Sequence, residues 1–136
     1  MQNWLLPAFI SLFIYGLWGF FPKLAVTHIQ PASALVYEIG GALLVGLFAL
    51  YLVDFRPEVH AQGILFAVLT GVAGMAGTLF YFSAAKTGKI SVVVSMTALY
   101  PLITILLAAV FLHEPISARQ MLGMVFAVIA ILLFTV

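Results

Sequence analysis

Residues 62–85 read QGILFAVLTGVAGMAGTLFYFSAA, a continuous apolar run in which no residue is charged. A helix needs about 20 such residues to cross the ~30 Å hydrocarbon core of a bilayer. Inside that core no water is present to satisfy backbone N–H and C=O groups, so a spanning segment must be helical or part of a closed barrel. This stretch is therefore predicted to be a transmembrane helix.

The rest of the chain repeats this pattern on both sides. Hydrophobic residues make up 65% of the sequence and charged residues 7%, against about 25% charged residues in soluble domains. Five transmembrane helices are predicted, at about residues 4–22, 32–53, 62–85, 90–112 and 119–136. Because the longest break, residues 54–61, is too short for a soluble module, residues 1–136 are predicted to form a single membrane domain. The predicted fold class is an all-α integral membrane protein, a bundle of five transmembrane helices.

Helix-breaking residues mark the boundaries of these segments. The predicted breaks contain Pro31, Pro57, Gly88 and Pro115. Ser117 and Gln120 have the spacing of a capping box at the start of the fifth helix, and Pro101 is predicted to kink the fourth. The first segment has no basic region before its apolar run, so we expect a mature helix and not a signal peptide.

The polar residues exclude several classes of function. The chain has no cysteine, and its three histidines, His28, His60 and His113, have no metal-ligand spacing. No nucleophile–base pair and no phosphate-binding glycine loop is present, so an enzyme is not expected. The net charge of +1 comes from basic residues spread along the chain, which argues against nucleic-acid binding. We expect no metal and no cofactor.

The charges between the spans nearly balance across the membrane. With five spans, two basic residues, Arg56 and Arg119, lie on the side of the N-terminus, and three lie on the other side: Lys23, Lys86 and Lys89. The positive-inside rule sets orientation by this difference, which is small here. Either another feature fixes a single orientation, or the chain inserts in both orientations and pairs antiparallel with itself.

Glu38 is the first candidate for a functional residue, because it lies well inside the second predicted span. A charge at such depth costs about 2.5–3.5 kcal/mol on insertion scales and usually faces a cavity or a partner. Desolvation favours the protonated form of a carboxyl group, which suits a proton-coupled carrier. The alternative is a glutamate that reaches headgroups or water from a position near the boundary.

Aromatic and hydroxyl side chains share faces on three of the predicted helices and complete the candidate site. As a hypothesis, the residues that bind substrate or proton are Glu38, Tyr15, Trp18, Tyr81, Tyr100 and Thr97. Such groups suit a small amphipathic solute in a central cavity, with cation–π contacts available. The alternative is that the aromatic residues form interfacial belts and that the threonines bond to their own helix backbone.

The stretch from Tyr81 to Val136 resembles the second part of an EamA domain of the drug/metabolite transporter superfamily, and the first helix extends the resemblance to nearly the whole chain. The features that carry the likeness are Ala85-Lys86 followed by Gly88, Leu99-Tyr100-Pro101, Leu112-His113-Glu114-Pro115, Gln120, Gly123, and Trp18-Gly19 in the first helix. Typical members contain two such five-helix repeats in inverted orientation, whereas this sequence contains one. The resemblance therefore implies either a homodimer, in which two copies pair antiparallel, or a heterodimer with another chain that carries a repeat. It gives no role to Glu38, because many EamA domains carry a basic residue near this position.

The predicted function is secondary transport of a small metabolite or drug with proton or ion coupling, in the cell (inner or plasma) membrane. Two alternatives are an accessory or scaffold subunit that pairs with another membrane protein, and a subunit of a lipid-carrier flippase. A titratable Glu38 in a hydrated cavity favours transport, and a dry, fully packed interior favours a scaffold.

Overall fold

The structure, a computed structural model, describes residues 4–135, and every regular element within them is an α-helix. The helices are α1 (Leu5–His28), α2 (Pro31–Leu52), α3 (Ala61–Thr87), α4 (Ile90–Thr97), α5 (Tyr100–Phe111) and α6 (Ala118–Thr135). The predicted all-α class is confirmed.

The helices have the length and composition of membrane spans. Among the described residues, α1, α2, α3 and the combined stretch Ile90–Phe111 are long and apolar enough to cross a bilayer, and α6 is a shorter apolar helix. Large apolar side chains cover their outer surfaces; Phe13, Leu44 and Phe80 are each at least 70% exposed. A surface of this kind is unstable in water and stable in hydrocarbon. The chain is an integral membrane protein with several spans.

α1 is longer than the sequence predicted. Its expected end was residue 22, yet the helix continues through Pro22 to His28, where the Ile29 N–H bonds to the Ala25 carbonyl at 3.1 Å. A proline inside a helix removes only its own N–H and so leaves one carbonyl, here that of Trp18, without its usual donor. The helix continues through Pro22 in spite of that loss.

Pro101 has a larger effect than the predicted kink. The expected single helix over residues 90–112 is two helices, because α4 ends at Thr97 and α5 begins at Tyr100. Ala98 and Leu99 keep right-handed helical angles, with φ and ψ of −62° and −3° and of −78° and −11°. Tighter i→i−3 bonds replace the α-helical ladder here, as from the Leu102 N–H to the Leu99 carbonyl at 3.0 Å. The α-helical hydrogen-bond ladder is therefore interrupted between α4 and α5.

The chain divides into two compact units, Met1–Thr87 and Gly88–Val136. In the first unit α3 packs against both α1 and α2, and α1 also contacts α2. In the second unit α4 packs against α6. The single-domain organisation of residues 1–136 stays a prediction.

The start of α6 confirms the predicted capping box. The Gln120 N–H donates to the Ser117 hydroxyl oxygen at 3.2 Å, and the Ser117 N–H donates to Gln120 Oε1 at 2.8 Å. This reciprocal pair satisfies amide groups that the first helical turn leaves without backbone partners.

Candidate functional site

The first unit brings Trp18 of α1 and Glu38 of α2 into direct contact. The indole Nε1–H of Trp18 donates a hydrogen bond of 2.8 Å to Glu38 Oε1. A donor bonded to a carboxylate oxygen stabilises the charged form and fixes the direction in which the carboxylate points. The two residues were separate candidates in the sequence, and they form one site in the structure.

The second carboxylate oxygen of Glu38 is in a different situation. Oε2 is buried and, within residues 4–135, has no hydrogen-bond partner. Most buried polar atoms in proteins are hydrogen-bonded, and an unpaired one costs free energy, more so when it carries charge. Glu38 thus has one oxygen bonded to Trp18 and one buried oxygen without a partner among the described residues.

Tyr81 of α3 packs against Trp18. The two rings stack with centroids 5.2 Å apart and planes at 29°. The phenolic hydroxyl of Tyr81 donates a 2.7 Å hydrogen bond to the backbone carbonyl of Gly19. Only 5% of Tyr81 is exposed. Its ring and hydroxyl are both used to hold α1, so Tyr81 is placed to orient Trp18.

The local chemistry of α1 explains why a tyrosine hydroxyl finds a carbonyl there. Pro22 has no N–H to donate to the Trp18 carbonyl, so the helical ladder lacks one hydrogen bond directly beside Gly19. Gly19 is buried and has no side chain to keep the Tyr81 ring away. We call Trp18, Gly19, Glu38 and Tyr81 the tryptophan–glutamate cluster.

Two lysines tie the helix ends of the first unit together. Lys23 Nζ donates to the Ala85 carbonyl at 2.8 Å, and Lys86 Nζ donates to Gln30 Oε1 at 2.6 Å. Both positive charges lie near the C-terminal ends of α1 and α3, where the helix dipole is negative. These lysines hold the end of the unit, and Ala85 and Gln30 both lie outside the tryptophan–glutamate cluster.

The other predicted site residues are placed differently. Tyr15 lies on α1 and is 62% exposed. In the second unit the Thr97 hydroxyl donates to the carbonyls of Val93 and Val94, both at 3.0 Å, which matches the backbone-bonding alternative. Tyr100 is the first residue of α5 and is 63% exposed. The structure therefore brings together Trp18, Glu38 and Tyr81, and the role of every one of the six residues stays a prediction.

Sequence reasoning missed the carbonyl of Gly19 as a functional group. A backbone acceptor has no residue signature of its own, but the spacing of a glycine three residues before Pro22 was a usable signal. Pro22 cannot donate to the carbonyl of Trp18, the residue before Gly19, so the helical ladder lacks a bond beside the carbonyl that accepts from Tyr81.

The second unit has a shallow pocket beside the loop before α6. Its lining residues are Thr104, Ile105, Ala108, Glu114, Pro115, Ile116 and Gln120. The Thr104 hydroxyl donates to the Tyr100 carbonyl and Gln120 Oε1 accepts in the capping box, so these two oxygens already have partners. In the part of the chain that the structure describes, no group of three histidine, aspartate or glutamate residues is placed to hold a metal ion.

The apolar spans identify a multi-pass membrane protein. The half-buried carboxylate of Glu38 gives it a polar group between packed helices. The sequence model of the EamA-like transporter family matches residues 2–136. The chain belongs to this family, as the resemblance implied.

One relative is an uncharacterized protein of Methanocaldococcus jannaschii. It is 30% identical over 124 residues, which are 90% of this chain and 88% of the relative. The two proteins therefore have similar lengths. No solved structure matches the chain.

Proposed function

We propose that the protein is a secondary transporter of a small metabolite or drug, and that Glu38 carries the coupling proton. The observation that supports this role is the buried Oε2 atom, which lacks a partner among the described residues. A proton on that oxygen removes the charge, and its loss restores a carboxylate that Trp18 already stabilises through Oε1. A group held between two such states is suited to accept and release a proton during a transport cycle.

A dimer is the proposed working unit. Transporters built from inverted repeats place their substrate near the bilayer midplane, between the repeats, and rock around it. The sequence contains one five-helix repeat, and the archaeal relative has a similar length. The numbers of Lys and Arg residues on the two sides of the membrane differ little, which supports insertion in both orientations. We propose an antiparallel homodimer in the cell membrane, with a heterodimer as the other arrangement that supplies a second repeat.

Transport, and not catalysis, is the proposed activity. Family members are transporters, and the tryptophan–glutamate cluster contains a single carboxylate without a nucleophile or a second acid–base group. Substrate and lipid are thus the proposed partners of the chain.

The test is gradient-driven flux in proteoliposomes. Purified protein is reconstituted, a pH gradient is imposed, and the movement of labelled amino acids, amines, sugars and nucleobases is measured. We expect Glu38→Gln to abolish flux of the transported solute, because the amide keeps the shape and hydrogen bonds of the carboxyl group but does not titrate. Glu38→Asp should retain part of the flux with a shifted pH profile, since the shorter side chain places the carboxylate in a different environment.

Glu58→Gln is the matched control. Glu58 is an exposed carboxylate in the segment between α2 and α3, so its neutralisation should leave flux unchanged. Flux of the Glu38→Gln variant equal to wild type across pH would show that Glu38 is structural. No flux of any solute by wild type, with an intact dimer, would favour the scaffold function.

A further inference from the structure

We infer that the tryptophan–glutamate cluster binds an organic cation with N–H groups, such as a primary ammonium or an amidinium ion. This inference deepens the proposed function, because it names the class of substrate for the same carboxylate. It rests on charge, on hydrogen-bonding capacity and on the aromatic surface beside Glu38.

The charge of the cluster favours a cation. Among its four members Glu38 is the acidic residue, so the formal charge that the cluster can carry is negative. The amino groups of Lys23 and Lys86 bond to Ala85 and Gln30. In the low dielectric of a membrane interior an anion beside Glu38 is repelled, and a cation is attracted more strongly than in water.

The hydrogen bonds of the cluster favour a cation that donates N–H. Trp18 donates one hydrogen bond to Oε1, and Oε2 remains an acceptor without a partner among the described residues. An ammonium or amidinium group offers a charge-assisted N–H bond to that oxygen. A quaternary ammonium ion has the same charge but no N–H to donate, so it should bind less tightly.

The aromatic pair supplies the second contact. Trp18 is 39% exposed, whereas Tyr81 is buried with its hydroxyl bonded to Gly19. The indole is therefore the ring that remains available to a ligand, and tryptophan is the aromatic side chain with the strongest cation–π attraction. Tyr81 acts on the ligand only through Trp18, as a positioning residue.

The experiment uses the fluorescence of Trp18. The chain has two tryptophans, Trp4 and Trp18, so Trp4→Phe leaves Trp18 as the single reporter in the full-length protein. The purified variant is titrated with butylammonium, benzylammonium and benzamidinium as cations, and with benzyltrimethylammonium, benzyl alcohol and benzoate as comparison compounds. Calorimetry on the wild-type chain provides a second measurement that does not depend on Trp4→Phe.

We expect a saturable change with at least one of the three N–H cations, weaker binding of benzyltrimethylammonium, and no binding of benzoate. Glu38→Gln should weaken cation binding by about tenfold or more, the effect of losing a hydrogen bond to a charged group, while Glu58→Gln should not alter it. Size-exclusion chromatography verifies that each variant elutes as wild type does, and Glu38→Asp, which keeps the charge, should retain measurable binding if Glu38→Gln disturbs the fold.

Three results would overturn the inference: no saturable binding of any of the three cations, binding of benzoate as tight as that of benzylammonium, or cation affinity unchanged in Glu38→Gln. These results are separable from the flux test. Cation binding without gradient-driven flux refutes transport and retains the cation site. Glu38-dependent flux of a neutral or anionic solute without cation binding refutes the cation site and retains transport.

Discussion

At the scale of single residues, the structure changes how Tyr81 is understood. Its sequence position suited a substrate contact or an interfacial belt, and the structure shows a buried ring with its hydroxyl on the Gly19 carbonyl. The same ring stacks on Trp18, whose indole bonds to Glu38. A change at Tyr81 should therefore reach Glu38 through Trp18.

Tyr81→Phe is expected to lower the stability of the protein by about 1 kcal/mol, the typical contribution of one hydrogen bond in a membrane protein. The variant keeps the ring stack and removes the donor to Gly19, so the emission of Trp18 in a Trp4→Phe background should also shift. The measurements are unfolding in mixed detergent and steady-state fluorescence. Tyr15→Phe is the control, because Tyr15 lies on α1, the helix that contains Trp18, and is 62% exposed. Equal stability and unchanged Trp18 emission in Tyr81→Phe would contradict the positioning role.

At the scale of helices, two prolines inside apolar segments have opposite outcomes. α1 continues through Pro22, and the ladder that this proline weakens lies beside a hydrogen bond from Tyr81. The segment around Pro101 instead separates into α4 and α5. In both places the proline removes one backbone donor, and the neighbouring packing differs. The sequence alone therefore predicts where each helical hydrogen-bond ladder is weakened, but not whether the helix continues or ends there.

Ser117→Ala tests the start of α6. Removing the hydroxyl takes away the acceptor of the Gln120 N–H, and loss of an N-cap side chain costs about 1 kcal/mol. We expect a lower unfolding midpoint in mixed detergent. Ser95→Ala is the matched control, since the Ser95 hydroxyl bonds to the Ser91 carbonyl within α4 and its loss leaves the helical ladder intact. Equal destabilisation by the two substitutions would refute a specific role for the cap.

At the scale of the whole molecule, orientation in the membrane decides whether one chain can supply both repeats. α3 has 27 residues and is therefore about 40 Å long, enough to reach both sides of a bilayer. Val59 precedes this helix and Thr87 ends it, and both are exposed. Because the chain has no cysteine, one introduced thiol at either position reports its side directly.

Val59→Cys and Thr87→Cys, made separately, are expected to react with a membrane-impermeant maleimide added outside intact cells, each in a comparable fraction of molecules. Neither substitution changes the charge, so the Lys and Arg difference that sets orientation is preserved. Labelling after permeabilisation gives the total thiol in each sample. Reaction of one position with none of the other would establish a single orientation and refute the antiparallel homodimer.

The apolar runs were enough to predict the fold class, because a segment of residues 62–85 has no other stable state in hydrocarbon than a helix. The capping box at Ser117 and Gln120 was also readable, since it depends only on neighbours along the chain. The contact of Trp18 with Glu38 and Tyr81 could not be predicted from the sequence. It joins residues far apart in sequence, and it depends on the rotation of each helix about its own axis. In water an apolar stripe reveals that rotation. In a bilayer the lipid-facing and protein-facing sides are both apolar, so only tertiary packing decides which side chains meet.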